Sequence, residues 1–453
     1  MSLPTLSALF EAVRAPKTSK ATCRQACKTL IVQHETTQPE RRADHQGEHG
    51  ANRYSFVPGD DTMPTIVGGD GCYLFTADGR RILDGAAGAI VGNIGWGRAE
   101  VADAVRAAMA TGGYVVPLWP TQHRLALRDE LVDHWLPNGF NHVFFTSGGS
   151  ESTDSALRLA RAYQVAKGRP DRWKIIGRHP SYHGMTLATM AVASHSGRQQ
   201  GYEPMLMPFP KVPWNDAEAV ERIFAEQDPA TIAGFIAEPI TGAAGACLTA
   251  TDEYWQTVTD LCRRHDVLLI ADEVMTGFGR TGRTFGHQHF PFHPDVIVGG
   301  KGLGGGYVPL GAVSTVDRVA EALRGSGFMY FTFTGSDGAC AGAAVVLEIM
   351  RREQLVQRSA DIGARFGDML TTTFSDHPLV VDIRGRGLFY GLELRCSRDA
   401  VVAAALQRDL WVYPAGSGPV ADAVMVAPPF VDSDAELQLI VDRLKEALNS
   451  LVV

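Results

Sequence analysis

The chain has 453 residues, 45% of them hydrophobic and 20% charged, with a net charge of −8 and a pI near 6.0. This is the profile of a globular protein long enough for two or three domains. It excludes a general nucleic-acid binder, which needs a basic footprint, and no run approaches the ~18 uninterrupted apolar residues of a membrane span.

Residues 1–50 read as a loosely ordered extension. Arg14, Lys17, Lys20, Arg24 and Lys28 stand against the single acid Glu11 in residues 1–34. There is no apolar core of a secretory signal, so an organellar targeting role is the alternative. Regular patterning begins at residue 65. Residues 65–88 have hairpin chemistry, with short β-prone runs broken by Gly69-Asp70-Gly71 and Asp78-Gly79. Residues 99–111 predict an amphipathic helix with Val101, Val105, Ala108 and Met109 on one face. A buried strand is expected over 142–147 and a helix over 150–168, with Ser150 as its N-cap and Gly168 as its stop. Short apolar runs at 173–178, 231–238, 266–273 and 295–300 read as further strands, with helical stretches at 216–227 and 252–265 between them. Strand and helix in alternation mean βαβ units and an α/β fold with a mostly parallel sheet. From about residue 345 the pattern changes to one long helix reaching residue 374, a strand-like run over 380–394, then more helix and strand. This is the signature of a smaller α+β domain.

Seven cysteines, Cys23, Cys27, Cys72, Cys247, Cys262, Cys340 and Cys396, contain no CxxC pair. They suit neither a disulfide framework nor a zinc site, and no metal is expected. A reducing, cytoplasmic setting is the expectation.

The chemistry gathers around Lys301. The apolar stretch 296–298 delivers this lysine into a glycine-rich turn. A lysine that ends a buried strand must be desolvated, paired or covalently used. Desolvation lowers its pKa and frees the amine as a nucleophile toward carbonyls; pyridoxal phosphate is an aldehyde that such lysines hold. GGKG is no P-loop, since it lacks Ser or Thr after the lysine and the required glycine spacing. Ser150 is no nucleophile elbow, since Glu151 and Ser152 come after it. Four motifs fall at expected strand ends, where open α/β sheets bind ligands. Ser147-Gly148-Gly149-Ser150-Glu151 is either a phosphate cradle at a helix start or an ordinary capped helix. Tyr182, in Ser181-Tyr182-His183-Gly184, either stacks on a flat ring or simply fills a strand–helix junction. Asp272 comes after five apolar residues, so its carboxylate needs a partner. That partner is a pyridinium nitrogen, which the acid would keep protonated, or the acid caps the next helix. Val274 shares its side, whereas Glu273 points away and reads as structural. The fourth is Lys301 itself, 29 residues after Asp272.

These residues together resemble the class III aminotransferases, the ω-aminotransferase branch of the fold type I pyridoxal-phosphate enzymes. The resemblance runs from about Thr65 to Phe430. LLIADEVMTGFGRTG and then PDVIVGGKGLGGGYVPLGAV carry most of it; FFTSGGSESTDSALRLAR, SYHGMT and FIAEPITGAAG keep the family's order. It implies a large cofactor-binding domain over 105–344 and a small domain built from 51–104 and 345–453. It implies that Lys301 forms the Schiff base and moves the substrate proton, that Asp272 binds the ring nitrogen, and that Tyr182 and Val274 sandwich the ring. Gly149 and Ser150 would hold the phosphate through their N–H groups. Thr332, in YFTFTGSDGACAG, would reach the phosphate of a neighbouring subunit, which implies a homodimer with shared sites, or a tetramer of such dimers. Glu238 would line the substrate pocket. The implied reaction moves an amino group from an amine or ω-amino acid to a 2-oxo acid such as pyruvate, by ping-pong kinetics through pyridoxamine phosphate. A decarboxylase or aminomutase on the same scaffold is the alternative; a non-catalytic binding homologue is opposed by the joint presence of Lys301 and Asp272.

The chain departs from the family pattern in two places. Ser147-Gly148 stands where Asn-Ser is common, a change of side chains and not of the phosphate-binding backbone. Tyr413, with Pro414 after it, stands where many members place an arginine for a substrate carboxylate. Arg386, in RGRGLFYG, reads as structural at a strand start. Trp96 and Trp119 are candidates for an apolar pocket wall, with a plain core role as the alternative.

Overall fold

A computed structural model describes residues 63–325 and 330–452. The expected extension over 1–50, its targeting-like stretch and residues 51–62 lie outside the described residues. Thr65–Val453 forms one unit by its internal contacts.

The turn residues fold the first stretch into a meander: β1 (Ile66–Asp70), β2 (Tyr73–Thr76) and β3 (Arg81–Asp84). The helix Ala99–Thr111 comes next with Val101 and Ala108 buried, while Met109 on the same stripe is 51% exposed. Then come β4 (His142–Thr146), β5 (Lys174–His179), β6 (Lys211–Pro213) and β7 (Ile232–Ala237). β8 (Ile240–Thr241) and β9 (Leu248–Thr249) form a small ribbon. β10 (Leu268–Asp272), β11 (Val296–Gly299) and β12 (Gly311–Thr315) then complete a seven-stranded sheet in the order β4-β12-β11-β10-β7-β5-β6. Every pairing is parallel except those of β12, which runs antiparallel to both its neighbours. Neither β6 nor β12 is expected from the sequence pattern.

Strand residues alternate between the two faces of this sheet. Leu268 and Ile270 pack with Ala156 and Ala160 of the helix Gly149–Ala166. Leu269 and Ala271 pack on the other face with Tyr254 and Trp255 of the helix Asp252–His265. Continued by two residues, that alternation sets Asp272 and Val274 on the side of the Gly149 helix and Glu273 on the other. Glu273 there accepts from the N–H groups of Gly286 and His287 at 2.8 and 2.7 Å and from His287 Nδ1 at 2.8 Å. Burial pushes its carboxyl up, but His287 and Thr276 outweigh burial and hold it below the ordinary range.

The single helix expected up to residue 374 is two, Asp337–Arg352 and Leu355–Phe374. Gln354 between them takes φ 52°, which a right-handed helix cannot continue through. Glu353 turns aside to accept from the two terminal guanidinium nitrogens of Arg98 at 2.9 and 2.7 Å. The run over 380–394 is likewise not one strand but a hairpin, β13 (Val380–Gly385) and β14 (Tyr390–Leu394). β15 (Leu410–Trp411), β16 (Tyr413–Ser417) and β17 (Val420–Val426) complete the strands. The C-terminal sheet has the order β13-β14-β17-β16, while β15 pairs in parallel with β3 and so joins the two ends of the described chain in one sheet.

Arg280, in the turn after β10, ties these parts together. Its buried guanidinium donates to the carbonyls of Leu388, Ala427 and Pro428 at 3.0, 3.0 and 2.7 Å and to Asn93 Oδ1 at 2.6 Å. Gly387 closes the same junction. It has φ 60°, and a Cβ there would collide with the carbonyl carbon of Thr281. Arg280→Leu strands these acceptors away from water, so it costs about 3–5 kcal/mol of stability. A urea titration reads this as a lower midpoint; an unchanged midpoint contradicts the role.

Candidate active site

β10 and β11 are parallel neighbours with Asp272 opposite Val298. Asp272 ends the first strand and Lys301 stands just past the second, so both reach the same end of the sheet. This is the carboxyl end, where open α/β sheets bind ligands. Gly149, Ser150, Tyr182, Glu238 and Val274 line the same pocket as these two residues. Five separate motifs, far apart in sequence, meet there because each stands at the end of a strand of one sheet.

Asp272 is 4% exposed. Its Oδ2 accepts from His183 Nδ1 at 2.7 Å and its Oδ1 from the Val274 N–H at 3.1 Å. A carboxylate only accepts, so Nδ1 of His183 carries the proton, and about two of the four acceptor positions of Asp272 stay free. The His183 side chain is fully buried, and its Nε2 has no partner among the described residues. His183 is the site residue that sequence reasoning passes over. Its one signal is its position, directly after Tyr182 at a strand end.

Lys301 takes φ 45°, the left-handed region, which costs a side-chain-bearing residue about 1–3 kcal/mol and collects at functional sites. Its Nζ donates to the Ala89 carbonyl at 3.0 Å. Burial pushes the amine down to about 8, against the pull of the Asp272 and Glu238 carboxylates. The neutral, nucleophilic form therefore grows in as pH rises through about 8, whereas an ordinary lysine waits for about pH 10.4. Competitive acylation of the cofactor-free protein, mapped by mass spectrometry, is expected to label Lys301 with a midpoint near 8. A midpoint shared with the surface lysines contradicts the desolvated amine.

The helix start is built around small residues. The helix begins at Gly149 with Gly148 as its N-cap, so the expected Ser150 cap is corrected by two positions. Ser150 Oγ is used elsewhere: it accepts from the Met185 N–H at 3.1 Å and fastens the loop after Tyr182. Glu151 reaches back to accept from the Ser147 N–H at 2.9 Å. A Cβ on Gly149 would lie 2.8 Å from Val274 Cγ1, so the backbone there meets the pocket bare. The first N–H groups of a helix have no partner within it and are natural anion donors.

Glu238 is buried, and both its oxygens accept backbone N–H groups, from Tyr182 and Gly242, each at 3.0 Å. Burial pushes its carboxyl up. It lines the pocket and also fixes the loop that presents Tyr182.

Other expected site residues stand outside this pocket. Thr332 is exposed in the turn before the helix Asp337–Arg352. Trp96 lies outside the Lys301 pocket: its indole N–H donates to Asp84 Oδ2 at 3.0 Å and its ring stands against Gly88 and Gly92. Trp119 is 67% exposed and does not reach the pocket either. Tyr413 is half-buried on β16, in the apolar cluster that includes Tyr182, but is not a lining residue. Arg386 sits in the hairpin turn between β13 and β14 rather than at a strand start, with its guanidinium 5.4 Å from the Phe290 ring. Among the described residues no helix is long and apolar enough to cross a membrane.

The family model for class-III aminotransferases matches residues 56–448. The uncharacterized aminotransferase YhxA of Bacillus subtilis is 35% identical over 413 residues, covering 84% of this chain and 91% of that one. The putrescine–pyruvate aminotransferase of Pseudomonas aeruginosa is 31% identical over 412 residues, covering 85% and 90%. The crystal structure of a Bacillus anthracis aminotransferase superposes with a TM-score of 0.83 at 31% identity, covering 96% of this chain and all of the other.

Proposed function

The chain belongs to the class III aminotransferases, and from that premise we propose that it holds pyridoxal phosphate at Lys301 and moves an amino group from an amine or ω-amino acid to a 2-oxo acid such as pyruvate. The observation that carries this reading is Lys301, its amine pushed down to about 8, at the same sheet end as the buried Asp272. The donor set suits the cofactor. A bare helix start at Gly149 and Ser150 offers N–H groups to a phosphate. Asp272 has acceptor positions left for a ring N–H. Tyr182 and Val274 supply an aromatic and an apolar face for a flat ring.

Bound there, pyridoxal phosphate supplies a ring that takes up the electron pair left when a C–H bond beside nitrogen breaks. The protein's residues do the rest. Asp272 would hold the ring nitrogen, and His183 Nδ1 fixes that carboxyl by its 2.7 Å hydrogen bond to Oδ2. Lys301 Nζ would take the proton from the amine-bearing carbon of the donor. Glu238 holds the Tyr182 loop in position by accepting the Tyr182 N–H.

The reading includes a cytoplasmic homodimer in which Thr332 serves the neighbouring site. Its support is that Thr332 stands outside its own chain's pocket, next to Phe333, in a region where Tyr114, Trp119 and Phe333 are all more than half exposed. Apolar groups clustered this way mark a surface that a partner covers. It also includes the division into a large domain over 105–344 and a small one from both ends, supported by the β3–β15 pairing. Pyruvate as acceptor draws on the Pseudomonas aeruginosa relative, whose name includes it.

A panel of amine donors with pyruvate tests the reaction. We expect alanine to form in step with loss of the donor amine. Carbon dioxide release, or product formed without any 2-oxo acid, overturns it in favour of a decarboxylase or aminomutase.

A further inference from the structure

The arginine expected near Tyr413 for a carboxylate is absent from that strand, yet a cation stands against the same region from another element. The short helix Ser196–Gln199 docks on β16, with the Ser196 N–H donating to Ser417 Oγ at 3.1 Å. It carries Arg198, whose guanidinium carbon lies 4.7 Å from the centre of the Tyr182 ring. Its Nη1 is 3.9 Å from Met185 Sδ, on the loop that Ser150 fastens to the helix start. Arg198 does not itself line the pocket that holds Lys301; its contact with that pocket is through Tyr182, which does, and its positive charge is a lesser cause of the lowered Lys301 amine, after burial.

Neighbouring arginines are already engaged. Arg178 donates to the Trp214 carbonyl and Thr241 Oγ1, Arg384 pairs with Asp382 and Glu393, and Arg398 donates to the carbonyls of Ala415 and Gly416. Arg198 makes no ion pair among the described residues, and its contacts are an aromatic face and a thioether. A guanidinium set against a ring is not neutralised by it and keeps N–H donors for another partner, and the group that its fork matches is a carboxylate.

We propose that Arg198 binds the carboxylate of the 2-oxo acid acceptor and of the amino acid formed from it, in place of the arginine that Tyr413 lacks. The proposal rests on the aminotransferase reading and names the residue that selects its acceptor. The same fork could hold the other anion at this site, the cofactor phosphate, so the experiment separates the two.

The test uses the full-length, cofactor-loaded protein with Arg198→Ala and Arg198→Lys, and Arg198→Gln should the alanine variant fold poorly. Acceptor KM and kcat are measured for pyruvate and for propanal, which has the same chain length and no carboxylate. The Kd of propanoate, a carboxylate that cannot react, is read from the change it causes in the cofactor's visible absorbance. Cofactor affinity is measured by equilibrium dialysis. Arg198→Ala is expected to raise the pyruvate KM and the propanoate Kd by about 10- to 100-fold, with kcat changed far less and propanal and cofactor affinity essentially unaffected. Arg198→Lys is expected to recover part of the loss, because it keeps the charge without the fork. Equal changes for pyruvate and propanal overturn the proposal, as does no change in either. Loss of cofactor affinity with an unchanged propanoate Kd overturns it too and assigns Arg198 to the phosphate. Failure of the aminotransferase reading looks different: the wild-type protein then turns over neither acceptor, while the propanoate measurement still decides the role of Arg198.

Discussion

Lys301→Ala is expected to lower amino transfer by about 10,000-fold or more and to leave the fold intact. Among the described residues the side chain's one hydrogen bond is to the Ala89 carbonyl, so little structure depends on it. The left-handed backbone at this position is no worse for alanine than for lysine, both having a Cβ. What disappears is the only amine in the pocket among the described residues. With it would go the covalent hold proposed for the cofactor aldehyde and the base proposed for the substrate proton. The measurements are steady-state transfer from the best donor found to pyruvate, the visible absorbance of the loaded protein, and the thermal midpoint. Loss of the first two with the third preserved is the expected pattern. Residual transfer within tenfold of wild type, a span of about 1.4 kcal/mol in barrier, contradicts the role given to Lys301.

Asp272→Asn is the second large effect. The substitution keeps the shape, and the amide oxygen can still accept from His183 Nδ1 or from the Val274 N–H. It therefore isolates the negative charge from the scaffolding. Without that charge the ring nitrogen would be held protonated less well, and the ring would accept the electron pair less readily. Proton removal from the donor is expected to slow by about 100- to 10,000-fold, with weaker cofactor binding. Stopped-flow absorbance of the first half-reaction measures it apart from the acceptor step. A half-reaction rate near that of wild type removes Asp272 from the mechanism. His183→Ala is expected to show a smaller loss of the same kind, because it frees the carboxylate to move without taking its charge away.

The residues of the site are legible in the chain for one physical reason. A parallel strand buried on both faces is an apolar run, and the first polar residue after it marks the end where ligands bind. Leu268 to Ala271 and Val296 to Val298 are such runs, and Asp272 and Lys301 are the first polar side chains beyond them. Strand alternation then assigns Asp272 and Val274 to one face and Glu273 to the other, as the structure has them. Features decided by distant partners are not legible. β12 inserts between β4 and β11 because of sheet order, which no local pattern encodes. The break at Gln354 has no glycine or proline to announce it and coincides with the Arg98–Glu353 pair, made across a long stretch of chain. Ser150 has the chemistry of an N-cap, but the Met185 N–H claims its hydroxyl. The two tryptophans illustrate the same limit: an indole's size says that it will pack or be covered, not against what, and Trp96 is directed to Asp84 by a single hydrogen bond.

The central claim is that Lys301 carries the cofactor and gives it up to an amine. Sodium borohydride reduction of the loaded protein, with peptide mass mapping afterwards, tests both halves at once. The pyridoxyl mass is expected on the Lys301 peptide alone. It should vanish when a donor amine is added before the reductant and return when pyruvate is added after the amine. A label on another lysine, or a label on Lys301 that no donor amine removes, contradicts the account.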